Sequence, residues 1–214
     1  MKTRTAFPRS ICLFTAFVLW TIVTMHVDVR AIGPNGSCVG LAALNGYFHN
    51  LTGVHLVLYA ITDWLGLVPV AFCLAFAVFG LVQWIHRRHI LRVDYSLLVL
   101  GGFYLLMLAA YLFFEHFVVN YRPVLINGIL EASYPSSTTL LVLCVMVTAL
   151  LQLRLRIQRR FWKCCTTVFI VSFLIFMVAA RLLSGVHWLS DIVGGILLSG
   201  ALVSLYESVC QLKK

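Results

Sequence analysis

The sequence predicts an all-α integral membrane bundle of six transmembrane helices with both termini cytoplasmic. Three observations carry this. The chain is 62% hydrophobic and 11% charged, with mean hydropathy +0.99, where a soluble domain keeps about a quarter of its residues charged. Its charged residues cluster between long apolar runs. Finally, 214 residues, divided into spans of about 20 with short connections, leave no length for a separate soluble unit. The chain 1–214 is therefore read as a single membrane domain.

The first apolar run covers about 11–27 and follows Lys2, Arg4 and Arg9. No A-x-A cleavage site follows it, so it reads as an uncleaved span rather than a signal peptide. Residues 28–53 hold turn formers, among them Gly33-Pro34-Asn35-Gly36. Within them 39–51 mixes apolar and polar residues and predicts a short helix along the interface. The second span is expected at 65–85, closed by His86-Arg87-Arg88-His89 and Arg92. The third lies at 96–119, and the fourth at 136–153, followed by Arg154, Arg156, Arg159, Arg160 and Lys163. The fifth lies at 165–183 and the sixth at 191–210, with Lys213-Lys214 after it.

The formal charge of +9 raises nucleic acid as a partner, but that needs a basic face on a polar surface, which such a chain lacks. Topology explains the charge better. With the N-terminus inside, one side carries every basic cluster, and the other carries only Arg30, Arg122 and Arg181, as the positive-inside rule requires. Arg122 and Arg181 then stand out at external helix ends. Each needs a counterion: an anionic ligand, or an ion pair with Glu115, Glu131 or Asp191. The seven cysteines show no C-x-x-C and no metal spacing, and Cys164-Cys165 are adjacent. A channel is disfavoured because the middles of the spans carry almost no charge. A serine protease is disfavoured because no Gly-x-Ser-x-Gly surrounds Ser136.

Three segments fall at external helix ends: Asn120-Tyr121-Arg122-Pro123, then Tyr134-Pro135-Ser136-Ser137-Thr138-Thr139, then the stretch from Arg181 through His187 to Asp191. Topology puts all three on one face. Two guanidiniums can clamp a tetrahedral oxyanion. Ser136, Ser137 and Thr138 open a helix whose free N–H groups and dipole favour an anion. His187 and Asp191 stand four residues apart, which faces them together if the stretch is helical; a carboxylate on one imidazole nitrogen leaves the other free to attack. Singly, each piece has a plainer reading as a helix cap, a helix stop or an interfacial polar pair. Their coincidence on one face favours a site.

These segments resemble the three-part signature of the type 2 phosphatidic acid phosphatase superfamily, shared with vanadium haloperoxidases: K-x6-R-P, then P-S-G-H, then S-R-x5-H-x3-D. Arg122-Pro123 matches the end of the first part and Pro135-Ser136 the start of the second. Arg181, His187 and Asp191 match the third with both spacings kept. The resemblance covers about 96–210. It implies a membrane lipid phosphatase in which His187 is the nucleophile, forming a phosphohistidine, and Asp191 orients it. Arg122, Arg181, Ser136 and the Ser137 N–H would hold the phosphoryl oxygens. It implies no cofactor and no metal, the arginines doing the work of Mg²⁺. The partners it implies are the membrane and a phospholipid or polyprenyl phosphate substrate, with no nucleic acid; oligomeric state stays open.

Three positions depart from the signature. Glu115 stands at the lysine, Ser137-Thr138 at the glycine-histidine, and Ala180 at the serine before Arg181. In the family the histidine at the Thr138 position protonates the leaving oxygen. Losing a general acid costs about 10²–10⁴ in rate. Three accounts stay open: another residue (Glu131, Glu115 or His116) supplies the proton; the chain is a binding or transport relative that lost catalysis; or the leaving group needs no proton. The last tilts the substrate toward a lipid diphosphate, such as a polyprenyl diphosphate. The compact chain and missing retrieval signals suggest a bacterial plasma membrane, with the site facing outside.

Overall fold

The computed structural model describes residues 6–213 and, for Ala6, the backbone alone. Lys2, Arg4 and Lys214, counted in the charge pattern, lie outside the described residues. The helices are α1 (Ala6–His26), α2 (Ala42–Thr52), α3 (Leu56–Leu65), α4 (Leu67–Arg87), α5 (Tyr95–His116), α6 (Ser137–Arg156), α7 (Arg160–Leu183) and α8 (Leu189–Gln211). Six stretches are long and apolar enough to cross a membrane, with α3 and α4 counted as one of 32 residues. The fold is an all-α membrane bundle, as expected from sequence.

Two boundaries differ from the expected ones in ways that matter. The second spanning stretch begins at Leu56, not near 65. Thr62 and Asp63 interrupt its apolar run and hid this first segment. The third ends at His116 rather than 119, because the chain turns there into an ordered loop.

The bundle is built on α8. Its outer partners expose apolar side chains broadly, as lipid-facing helices do, whereas 61% of its own spanning window is buried. It packs against α1, α6 and α5. Small residues make the approach close, the usual device in membranes, where apolar burial does not drive helix association. Gly194 is the clearest case: a Cβ there would stand 2.7 Å from the Tyr134 ring. That contact seats the start of α6 on the start of α8, and Ser136 N–H donates to the Asp191 carbonyl at 3.0 Å.

The two ends of the bundle differ. At one end Asp94, before α5, pairs with Arg87 at 3.0 Å and with Arg156 at 3.7 Å. The other end gathers the far ends of α5 and α7 with the starts of α6 and α8, and thus all three signature segments.

Candidate active site

The loop 117–136 brings the first two segments together. It folds back as a hairpin: Arg122 N–H donates to the Glu131 carbonyl at 3.0 Å, and Ser133 N–H to the Asn120 carbonyl at 2.9 Å. Its tip pairs Ile126 with Ile129 across Asn127-Gly128, both at positive φ (51° and 79°). Asn-Gly is the sequence best suited to that mirror-image turn. The hairpin sets Arg122 opposite Glu131 and Asn120 opposite Ser133, three residues before Ser136. Asn120 ties the hairpin to α8, its Nδ2 lying 3.3 Å from Ser190 Oγ and 3.4 Å from Asp191 Oδ1.

The third segment turns out of α7 at Gly185, whose φ is +68° and whose Cβ would strike the Gly53 carbonyl at 1.9 Å; only glycine fits there. His187 lies in this turn, not in a helix. Four-residue spacing faces Asp191 onto His187 only if the stretch is helical, and here it is not. His187 Nδ1 and Asp191 Oδ2 are 3.8 Å apart, too far for a hydrogen bond. Asp191 caps its own helix, accepting the Trp188 N–H at 2.9 Å.

Arg122, Arg181, His187 and Asp191 are 8, 2, 3 and 0% exposed. Burying a guanidinium costs several kcal/mol unless it is paired, so partners decide what these arginines are for. Arg122 Nε lies 3.0 Å from Glu131 Oε2, one of the three ion pairs the sequence offered, though without hydrogen-bond alignment, and its Nη1 is unsatisfied. Arg181 donates from Nη1 to Thr62 Oγ1 at 3.0 Å. Its nearest carboxylate, Asp63, is 4.0 Å away and largely exposed, and its Nε has no partner. The Tyr59 ring lies under both guanidiniums, 4.7 Å from Arg181 Cζ and 5.9 Å from Arg122 Cζ. His187 Nε2 is also buried and unsatisfied. Burial pushes the His187 imidazole down to about 4, the two guanidiniums push the same way, and Asp191 opposes them. The ring is thus neutral near pH 7, as a nucleophile must be.

The serines divide. Ser136 is fully buried and caps α6, its hydroxyl accepting from Thr139 Oγ1 at 3.0 Å and, at 3.5 Å, from Thr139 N–H. Its own N–H is spent on Asp191, so it is not the free donor expected from sequence. Ser137 is half-buried and lines two adjoining cavities. One, about 300 Å³, runs between α5 and α6 and is walled by Met107, Leu108, Tyr111, Thr138 and Leu141. The other, small, holds Glu115 and Ser133. Thr138 therefore faces an apolar groove. Glu115 is exposed, and among the described residues it forms no ion pair with either arginine. His116 is exposed, with Nδ1 2.9 Å from the Leu112 carbonyl.

Four residues around the site escaped the sequence reading. Tyr59, Thr62 and Asp63 lie in α3, a stretch given no element from sequence. Ser133 lies just ahead of the second signature part; its Oγ is 3.0 Å from His187 Nδ1 and donates to Asp191 Oδ2. The Asn127-Gly128 turn was the available signal that the loop doubles back.

Comparison with known proteins supports the same grouping. No curated protein matches the chain. Among solved structures, a transmembrane PAP2-type phosphatidylglycerolphosphate phosphatase from Bacillus subtilis superposes with TM-score 0.61 at 19% identity, covering 96% of this chain and 98% of that one. The PAP2 superfamily profile matches residues 102–211, just over half of the sequence, from within α5 to the end of α8 and including all three signature segments; the chain belongs to the PAP2 superfamily.

Proposed function

We propose that this protein is a membrane lipid phosphatase that removes the terminal phosphate of a lipid diphosphate at the extracytoplasmic face. The observation that carries the reading is the set of buried, unsatisfied nitrogens of Arg122, Arg181 and His187 at one end of the bundle. Two guanidiniums over one ring, beside a neutral imidazole, suit a phosphoryl group. The outward orientation rests on the charge asymmetry of the loops.

In the reaction, the His187 Nε2 lone pair attacks the terminal phosphorus. The P–O bond to the bridging oxygen breaks, and its electrons leave with the lipid monophosphate. Arg122, Arg181 and the Ser137 N–H hold the remaining oxygens as charge spreads over them. Water then attacks the phosphohistidine, the N–P bond breaks and its electrons return to Nε2, and the water's proton leaves to the product or solvent. Thr138, at the position of the family's general acid, cannot itself protonate the departing oxygen. A phosphate leaving group needs no general acid, whereas an alkoxide does. By homology with phosphatases the reaction class is hydrolysis; the diphosphate preference rests on Thr138.

The test is phosphate release by purified protein from a polyprenyl diphosphate and from phosphatidic acid, for wild type and His187→Ala. Faster release from the diphosphate, absent in the variant, is expected. Equal or faster monoester turnover removes the preference. The second reading, a binder or transporter of lipid phosphates, is favoured by the same threonine. It predicts binding of both lipids with no phosphohistidine at position 187 and no inhibition by vanadate.

A further inference from the structure

We infer that Ser133 is a positioning residue that links His187 to Asp191, so that the imidazole is oriented through a hydroxyl rather than by the carboxylate directly. The inference rests on the proposed nucleophilic role of His187. Its observation is separate: the direct Nδ1–Oδ2 distance is 3.8 Å, while Ser133 Oγ stands 3.0 Å from Nδ1 and bonds Asp191 Oδ2. All three side chains are buried.

The direction of the bonds follows from the count of protons. A serine hydroxyl has one proton to give and lone pairs to receive. Asp191 takes donors from several sides, the Trp188 N–H at 2.9 Å and, at 3.4 Å, Asn120 Nδ2 and Ser190 Oγ, so it acts as acceptor. The Ser133 proton therefore points to Asp191, and its lone pair faces Nδ1. Nδ1 must then carry the ring proton, which leaves Nε2 with the lone pair. Nε2 is the atom without a partner.

The link also serves the charged intermediate. As Nε2 bonds to phosphorus and the leaving oxygen departs with the P–O electrons, the ring becomes cationic. Nδ1 keeps its proton and Ser133 keeps its own; no proton moves among the three. The hydroxyl dipole aligns between cation and carboxylate and strengthens both bonds. The backbone holds the serine in place, through its N–H on the Asn120 carbonyl at 2.9 Å.

Two readouts test this. In ¹⁵N-imidazole spectra of the protein in micelles, with His187 assigned by its loss in His187→Asn, wild type is expected to show the single Nδ1-protonated tautomer. Ser133→Ala should mix the tautomers, and Ser133→Thr should restore one. In turnover, Ser133→Ala should lower kcat about tenfold or more with KM within about twofold, and Ser133→Thr should recover most of the loss. An unchanged tautomer in Ser133→Ala overturns the inference, and so does a threonine variant as impaired as the alanine one. If wild type proves inactive on lipid phosphates, the proposed function fails, while the spectra still decide the role of Ser133.

Discussion

The run from α5 to α8 and the run from α1 to α4 contribute to the same site in different ways. The first holds every residue proposed to touch phosphate: Arg122, Ser137, Arg181 and His187. The second touches none of it and sets the posture of those that do. Tyr59 underlies both guanidiniums, and Thr62 takes one N–H of Arg181. Asn45 docks α2 onto the start of α8, exchanging bonds of 2.9 and 3.0 Å with Ser190. A signature marks the groups that meet the substrate, because chemistry restricts their type and spacing. Groups that support them are restricted only by packing, and many sequences can pack.

That contrast sets an order of expected effects. The largest is His187→Ala, which should lower phosphate release by about 10⁴-fold or more, since the proposed phosphohistidine can no longer form. Arg122→Ala should follow, at about 10²–10³ in kcat, as for loss of a donor to a developing oxyanion. The supporting run should register more weakly and mainly in KM. Tyr59→Leu removes a ring shared by two cations, at about 0.5–2 kcal/mol, and should raise KM several-fold with kcat nearly kept. If Tyr59→Leu matched Arg122→Ala in kcat, the division of labour between the two runs would collapse.

Acid provides a fourth probe. The unfolded chain takes up a proton at His187 near the ordinary value of 6.5, whereas burial holds the folded ring down to about 4. Between those values the unfolded state binds more protons, so stability is full above 6.5 and falls as pH drops toward 4. Thermal melts of wild type and His187→Asn across pH 4–7 should show a shallower slope for the variant. The smallest effect is expected from Asp63→Asn. That pair is at 4.0 Å with the carboxylate largely exposed, and such pairs contribute about 0–1 kcal/mol. Activity within about twofold of wild type is expected; a large loss would move Asp63 from the rim into the machinery.

What was legible in the sequence divides along the same line. The apolar runs and basic clusters marked the spanning stretches, since a bilayer demands length and apolarity from each helix whatever its partners. Arg181, His187 and Asp191 were legible through fixed spacing. The carboxylate partner of Arg181 was not, because Asp63 lies far away in sequence and broke the very run that would have announced α3. Nor was the gap between His187 and Asp191. A four-residue interval implies contact only on a helix, and the glycine turn at 185 keeps His187 outside one. Ser136 shows the converse case: its place at a helix start was read correctly, but the close approach of α8 consumed its N–H.

The most direct test of a single phosphate site built on His187 is to trap its intermediate. Purified protein is mixed with polyprenyl diphosphate labelled at the terminal phosphorus, quenched in base and mapped by proteolysis. Base-stable, acid-labile label on the peptide carrying His187, lost in His187→Ala, is the predicted result. Rapid turnover by wild type with label on another residue, or turnover undiminished in His187→Ala, would contradict the account.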